Sequence, residues 1–158
     1  MNKTNKTLAL VVAGVLALPS SLLALGGRKA EYVGGTMSSI PDNTEGVLDT
    51  RNDTTLSFVY DGNKGSFAIP YEAITSLEYG QHAGKRIVAS VLFVLPIFSK
   101  KRAHYLTVTY RDLAGKEQAC VLELGKDIVR TTLTIVETRS GTKIDYEDEE
   151  AAKAGRGK

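Results

Sequence analysis

The stretch HYLTVTYRD, residues 104–112, alternates its side chains with a period of two. Leu106, Val108 and Tyr110 therefore fall on one face of an extended chain, and Tyr105, Thr107, Thr109 and Arg111 on the other. A reversal at Leu113-Ala114-Gly115-Lys116 leads into EQACVLELG, where Cys120, Leu122 and Leu124 share a face. Together they predict a β-hairpin. Five more short runs precede it: EYVGGT, VLDTR, TLSFVYD, and SFAIPYEAITSLEYG read as two strands bent at Pro70. Proline cannot donate to a sheet ladder, so Pro70 marks an edge or a break. Asn52-Asp53 and DGNKG, residues 61–65, supply the bends, with Gly62 and Gly65 at positive-φ positions.

The period changes after residue 126. In KDIVRTTLTIVETRSG, Val129, Leu133 and Val136 recur at helical spacing, with Ile128 and Thr132 beside them. Asp127 suits the N-terminal end of a helix, Arg139 its last turn and Gly141 a left-handed cap. From residue 145 onward the chain is acidic and then small, and is expected to be a frayed helix or a charged flexible tail. The expected architecture is mainly β: a small barrel or two packed antiparallel sheets of about seven strands with one C-terminal α-helix. It fills residues 30–144 as one domain.

The first residues read differently. MNKTNKT is polar and basic, LALVVAGVLALPSSLLAL is apolar, and Gly26-Gly27 precede Arg28-Lys29. That order is the layout of a secretory signal peptide over residues 1–26. The competing reading is an uncleaved anchor, because Leu8 to Leu25 approaches the length of a span. Export to the periplasm or envelope is the expectation. The formal charge is +2; Lys3 and Lys6 lie in the leader, and without them 18 basic residues balance 18 acidic ones. A domain near neutrality has no global pull toward nucleic acid. Cys120 stands alone, so it forms no intramolecular disulfide and reads as a buried, inert thiol.

One segment departs from polar β-structure. Ile87 to Phe98 carries no charge, and Lys85, Arg86, Lys100, Lys101 and Arg102 close it at both ends. As a helix its twelve residues reach about 18 Å, short of the roughly 30 Å hydrocarbon core. As a strand they reach about 40 Å, but Pro96 interrupts the run and a lone strand in lipid leaves its backbone unpaired. A single span is excluded on both counts. Two readings stay open. The run packs in the core or a self-association interface, or it projects and enters a membrane surface shallowly, with cations on lipid phosphates. The contact residues are then Lys85, Arg86, Val91, Leu92, Phe93, Leu95, Ile97, Phe98, Lys100, Lys101 and Arg102.

Catalytic patterns are absent from the sequence. His82 and His104 have no histidine or cysteine at metal-ligand spacing, so no metal or other cofactor is expected. No serine stands in a nucleophile elbow, and no small-molecule substrate is indicated. The glycines of VGGT and DGNKG lack a strand-to-helix setting and read as turns. His104, beside the basic cluster, is expected to add to it below neutral pH.

The phrases YVGGT, NTEGVLDT, FAIPYEAITSLEYG, SKKRAHYLTVTYRD and RSGTKIDYEDEE together resemble a group of uncharacterised bacterial exported proteins, over most of residues 31–150. The element order looks like that of bacterial, GRAM-related relatives of the pleckstrin-homology fold. The resemblance implies a pleckstrin-homology-like barrel closed by a helix and transfers no catalytic residue. Phosphoinositide-binding members use a basic first hairpin; here that hairpin holds Glu45, Asp49, Arg51 and Asp53, which does not support such a site. The expectation is a non-enzymatic exported module that meets an anionic membrane surface or an envelope protein through the apolar insert. The alternative is a soluble assembly domain with the insert sealed in its core or a homo-oligomer interface.

Overall fold

The computed structural model describes residues 29–60, 62, 64–81, 85–88, 91–94 and 103–157, with the backbone alone for 85–88 and 91–94. The leader lies outside these residues. Strands β1 (Lys29–Gly35), β2 (Thr44–Asp49), β3 (Thr55–Tyr60) and β4 (Gly65–Pro70) form an antiparallel meander. A short 3₁₀ turn at Tyr71–Ala73 carries the chain to β5 (Ile74–Gly80). After the hairpin β6 (Lys85–Val88) and β7 (Val91–Val94) come β8 (Tyr105–Arg111), β9 (Glu117–Leu124), α1 (Val129–Ser140), β10 (Ile144–Tyr146) and α2 (Glu149–Arg156).

The main sheet has eight strands in the order β4-β3-β2-β1-β9-β8-β5-β10; β6 and β7 pair only with each other in a separate ribbon. All seven strands expected from alternation are present. The eighth is β10, which runs parallel to β5 with Ile144 opposite Leu77 and Tyr146 opposite Tyr79. At three residues it is too short to show a period, which is why alternation misses it. The sheet's edges, β4 and β10, are not joined by hydrogen bonds, so the sheet is open. Pro70 ends the edge strand β4, where a missing N–H costs no ladder bond.

The main core lies on one face of this sheet. Leu106 and Val108 of β8 meet Cys120 and Leu122 of β9, together with Tyr32, Leu48, Leu56, Phe58, Ile69, Leu77 and Tyr79. Burial pushes the Cys120 thiol up to about 12, which keeps it protonated and unreactive. Helix α1 adds Val129, Thr132, Leu133 and Val136, the stripe its spacing predicts, and ends at Gly141 with φ 70°. Its N-terminus differs from expectation: Ile128 is the cap residue and no side chain, Asp127 included, accepts a capping hydrogen bond. Arg139 ties the other end to the β2–β3 loop, donating to the carbonyls of Thr50 and Asn52 and pairing with Asp53. Its guanidinium also lies 5.6 Å from the Tyr71 ring centroid.

Both faces of the central strands are covered. Tyr105, Thr107 and Thr109 of β8, on the face opposite Leu106, are 1–2% exposed, and Tyr105 joins Val33, Ala103 and Val121 in a second buried cluster. Threonines read as half-polar in sequence, but their β-branched carbons suit a covered strand face.

Two local readings change. Gly34 and Gly35 of VGGT are not a turn; they lie in β1 opposite Val121 and Cys120, past a bulge. A Cβ on Gly35 would stand 2.3 Å from the Ala119 carbonyl oxygen, so glycine allows two backbones to close together. Gly62 has the expected positive φ, at 60°, whereas Gly65 does not share it and leaves room for the Tyr60 ring. The segment expected to be a frayed helix or a flexible tail holds β10 and then the helix α2, with the Asp148 carboxylate accepting from the Ala151 N–H at 2.7 Å. Ala151 and Gly155 are buried. The sequence reading weighed large apolar side chains, and this helix docks through small ones.

Gly155 faces Tyr146, Leu133 and Tyr79, and a Cβ there would come within 2.7–3.4 Å of all three side chains. In an open helix Gly→Ala stabilises by roughly 0.5–1 kcal/mol. Here Gly155→Ala is expected to destabilise, by about 1–3 kcal/mol through overpacking, as read from urea unfolding midpoints.

Candidate functional site

The last residue of β5 and the first of β8, Gly80 and Tyr105, are paired across the sheet. The chain therefore leaves the sheet after Gly80 and rejoins it at Tyr105, on the same rung. This is the element that carries the apolar run. Inside it, β6 and β7 are antiparallel, with Lys85 opposite Val94, Arg86 opposite Phe93, Ile87 opposite Leu92 and Val88 opposite Val91.

Lys85 and Arg86 lie level with Val94 and Phe93, within the ribbon rather than below it. Of the expected contact residues, Lys85, Arg86, Val91, Leu92 and Phe93 are brought together by this pairing. Leu95, Ile97, Phe98, Lys100, Lys101 and Arg102 lie outside the described residues. From the Lys85–Val94 rung to the Val88–Val91 rung the ribbon rises about 10 Å, at roughly 3.3 Å per residue. That is about a third of a hydrocarbon core of roughly 30 Å, so the paired strands do not cross one. Among the described residues, no helix is long and apolar enough to cross a membrane.

The root of this element is a compact polar cluster that sequence reasoning missed. Tyr79, fully buried in β5, has its hydroxyl 2.6 Å from Nδ1 of His104, the residue just before β8. The two rings lie 6.2 Å apart and nearly parallel at 11°. Tyr146 of β10 meets Tyr79 edge-on at 5.9 Å, and the Arg156 guanidinium of α2 lies 4.5 Å from the Tyr146 centroid. Glu147 clamps the same place twice: its N–H donates to the Tyr79 carbonyl at 2.9 Å, and its Oε2 accepts from the Gln81 N–H at 3.0 Å. The Leu124 N–H donates to the His104 carbonyl at 2.7 Å. Residues from β5, β9, β10 and α2 thus converge where the insertion departs. No one-dimensional spacing links Tyr79, His104 and Glu147, because the parallel strand that gathers them is invisible to alternation.

Burial, and then the nearby Lys126 charge, lower the His104 pKa from the ordinary 6.5, with Glu123 opposing them. Its uptake of a proton is thereby shifted to lower pH. Burial, with Tyr146 nearby, raises the Tyr79 hydroxyl to about 12, so it keeps its proton.

The first hairpin offers no phosphate site. Arg51 makes a bidentate contact with Asp49, at 3.0 Å and 2.6 Å, and Asp53 pairs with Arg139. A groove of about 480 Å³ opens at the start of β1, with Lys29, Glu31, Glu45 and Glu123 in its lining. Glu31 stands directly opposite both Glu45 and Glu123 in the sheet, a sign of charge that repels phosphate. Among the described residues, no group of three histidine, cysteine or carboxylate side chains gathers to hold a metal ion.

Comparison with protein-family models and with curated proteins finds no match to this chain.

Because folded His104 takes up a proton less readily than the unfolded chain, the unfolded state gains that proton first as pH falls below 6.5. Stability contributed at this site is present above that value and is lost on acidification. An NMR titration of the imidazole is expected to give a midpoint below 6.5, and Lys126→Gln, which removes a like charge, should move it upward.

Proposed function

We propose that this chain is an exported, non-enzymatic binding module whose insertion, residues 81–104, contacts an anionic membrane surface or an apolar-faced partner at the cell envelope. In this reading residues 1–26 are a signal peptide, and the domain has a pleckstrin-homology-like order of strands closed off by a helix, with its sheet left open. The strand order β4-β3-β2-β1-β9-β8-β5, followed by α1 on the core, supports that architecture. The observation that carries the functional reading is the single-rung root at Gly80 and Tyr105, from which a separate two-stranded ribbon of mostly apolar sequence departs. An element whose two ends leave the sheet side by side can meet a second surface without changing the strand order.

The chemistry favours a shallow apolar contact with electrostatic support. Each lysine or arginine close to an anionic bilayer adds about 1 kcal/mol, diminishing with salt. Each large apolar side chain withdrawn from water adds about 1.5–3 kcal/mol. Two or three side chains among Val91, Leu92, Phe93 and Leu95 would match the contribution of all five cations.

One observation favours the competing assembly module. The second buried cluster, Val33, Ala103, Tyr105 and Val121, carries apolar packing onto the other sheet face at the insertion's return. On that reading the run continues the packing, in the core or between two copies of the chain.

Vesicle flotation separates the two. Residues 27–158 are expected to float with phosphatidylglycerol-containing vesicles at low salt and less so at high salt. The double substitution Phe93→Ser and Leu95→Ser should abolish flotation and leave the urea midpoint in place. Absence of flotation, together with a stability loss of about 3–5 kcal/mol or more in the variant, would instead identify the run as core.

A further inference from the structure

We propose that His104 is a proton-operated latch on the root of the insertion: neutral, it holds the rung from which residues 81–104 depart, and protonated, it loosens that rung. The proposal rests on the insertion being the contact element and names its regulation.

The geometry sets the direction. The described residues offer the Tyr79 hydroxyl no hydrogen-bond partner other than His104 Nδ1, and Tyr79 is fully buried. A buried O–H left without an acceptor is costly, so the hydroxyl donates and Nδ1 accepts, which puts the neutral imidazole proton on Nε2. Protonation places hydrogen on Nδ1 and removes the lone pair. The Tyr79 hydroxyl can then only accept, and its own proton is stranded inside the sheet.

The surroundings give little compensation. Facing His104 among the described residues are Tyr79 from β5, Glu123 from β9 and Lys126 from the β9–α1 connection; Tyr146 of β10 stands behind Tyr79, with Arg156 of α2 beyond it. Lys126 opposes an imidazolium and Glu123 favours one, but neither supplies the acceptor that Tyr79 loses. Three bonds donated by backbone N–H groups surround the same point: Gln81 to the Glu147 carboxylate, Glu147 to the Tyr79 carbonyl, and Leu124 to the His104 carbonyl. All three join the insertion root to its neighbours, so disturbance at His104 and Tyr79 reaches each of them.

Hydrogen exchange on the full chain, without vesicles, tests the latch. Between about pH 7.5 and about pH 5.5, still above the ordinary carboxylate range, the amides of Gln81, Leu124 and Glu147 should lose protection, by at most roughly tenfold, after correction for intrinsic exchange. Amides of β3, such as Phe58, should not. His104→Gln keeps an acceptor for Tyr79 but does not titrate, and should make the three amides insensitive to pH. Tyr79→Phe leaves no proton to strand and should reduce the response while His104 still titrates. Equal loss of protection in His104→Gln and the parent, or no loss in the parent, would overturn the latch. Because exchange is read without a membrane, failure of the latch and failure of flotation are separate results.

Discussion

Strand β1 hydrogen-bonds on both edges, to β2 and to β9, and by doing so turns two antiparallel groups into one sheet. Everything else in the fold depends on that double pairing. The meander β1–β4 supplies Leu48, Leu56, Phe58 and Ile69; the group β5, β8 and β9 supplies Leu77, Leu106, Val108 and Leu122; Tyr32 of β1 lies among both sets. The pairing requires backbones to approach more closely at Gly35 than any side chain allows, and Thr36 reinforces it by exchanging hydrogen bonds with Ala119. An alternating pattern can say that a segment is a strand. It does not say that the strand must serve two partners.

That limit explains which parts of the structure were legible in the sequence. Seven strands and α1 could be read because each carries a period, 2 or about 3.6, in side chains large enough to count. The helix stripe at Val129, Leu133 and Val136 and the cap at Gly141 are positions where local chemistry and tertiary packing agree. The docking of the C-terminal segment was not legible, for a physical reason. Its contact depends on the absence of a side chain at Gly155 and on three residues of parallel pairing, neither of which makes a hydrophobic signal. The polarity of Thr107 and Thr109 likewise hid a covered second face.

The candidate site divides in the same way. The apolar run and its basic neighbours stand out in composition. The register that sets Arg86 against Phe93 rather than against the distant lysines comes only from pairing. The Tyr79–His104 contact joins residues 25 positions apart, and the Gln81–Glu147 contact residues 66 apart. Such contacts follow from the order in which strands assemble and have no local spacing. The most chemically specific part of the site was therefore the part least visible in one dimension.

The position of Glu147 and Tyr146 near the end of the chain has a consequence for biogenesis. The insertion is synthesised long before the residues that clamp its base, so during translation and any passage through a translocon it is present without its anchor. The oily ribbon is then least restrained while the chain is still threading, and the clamp at its root is completed only when Glu147, 66 positions after Gln81, has emerged. A premature stop after α1 would leave a β-sheet able to form most of its ladder yet missing the clamp that sets the ribbon's stance.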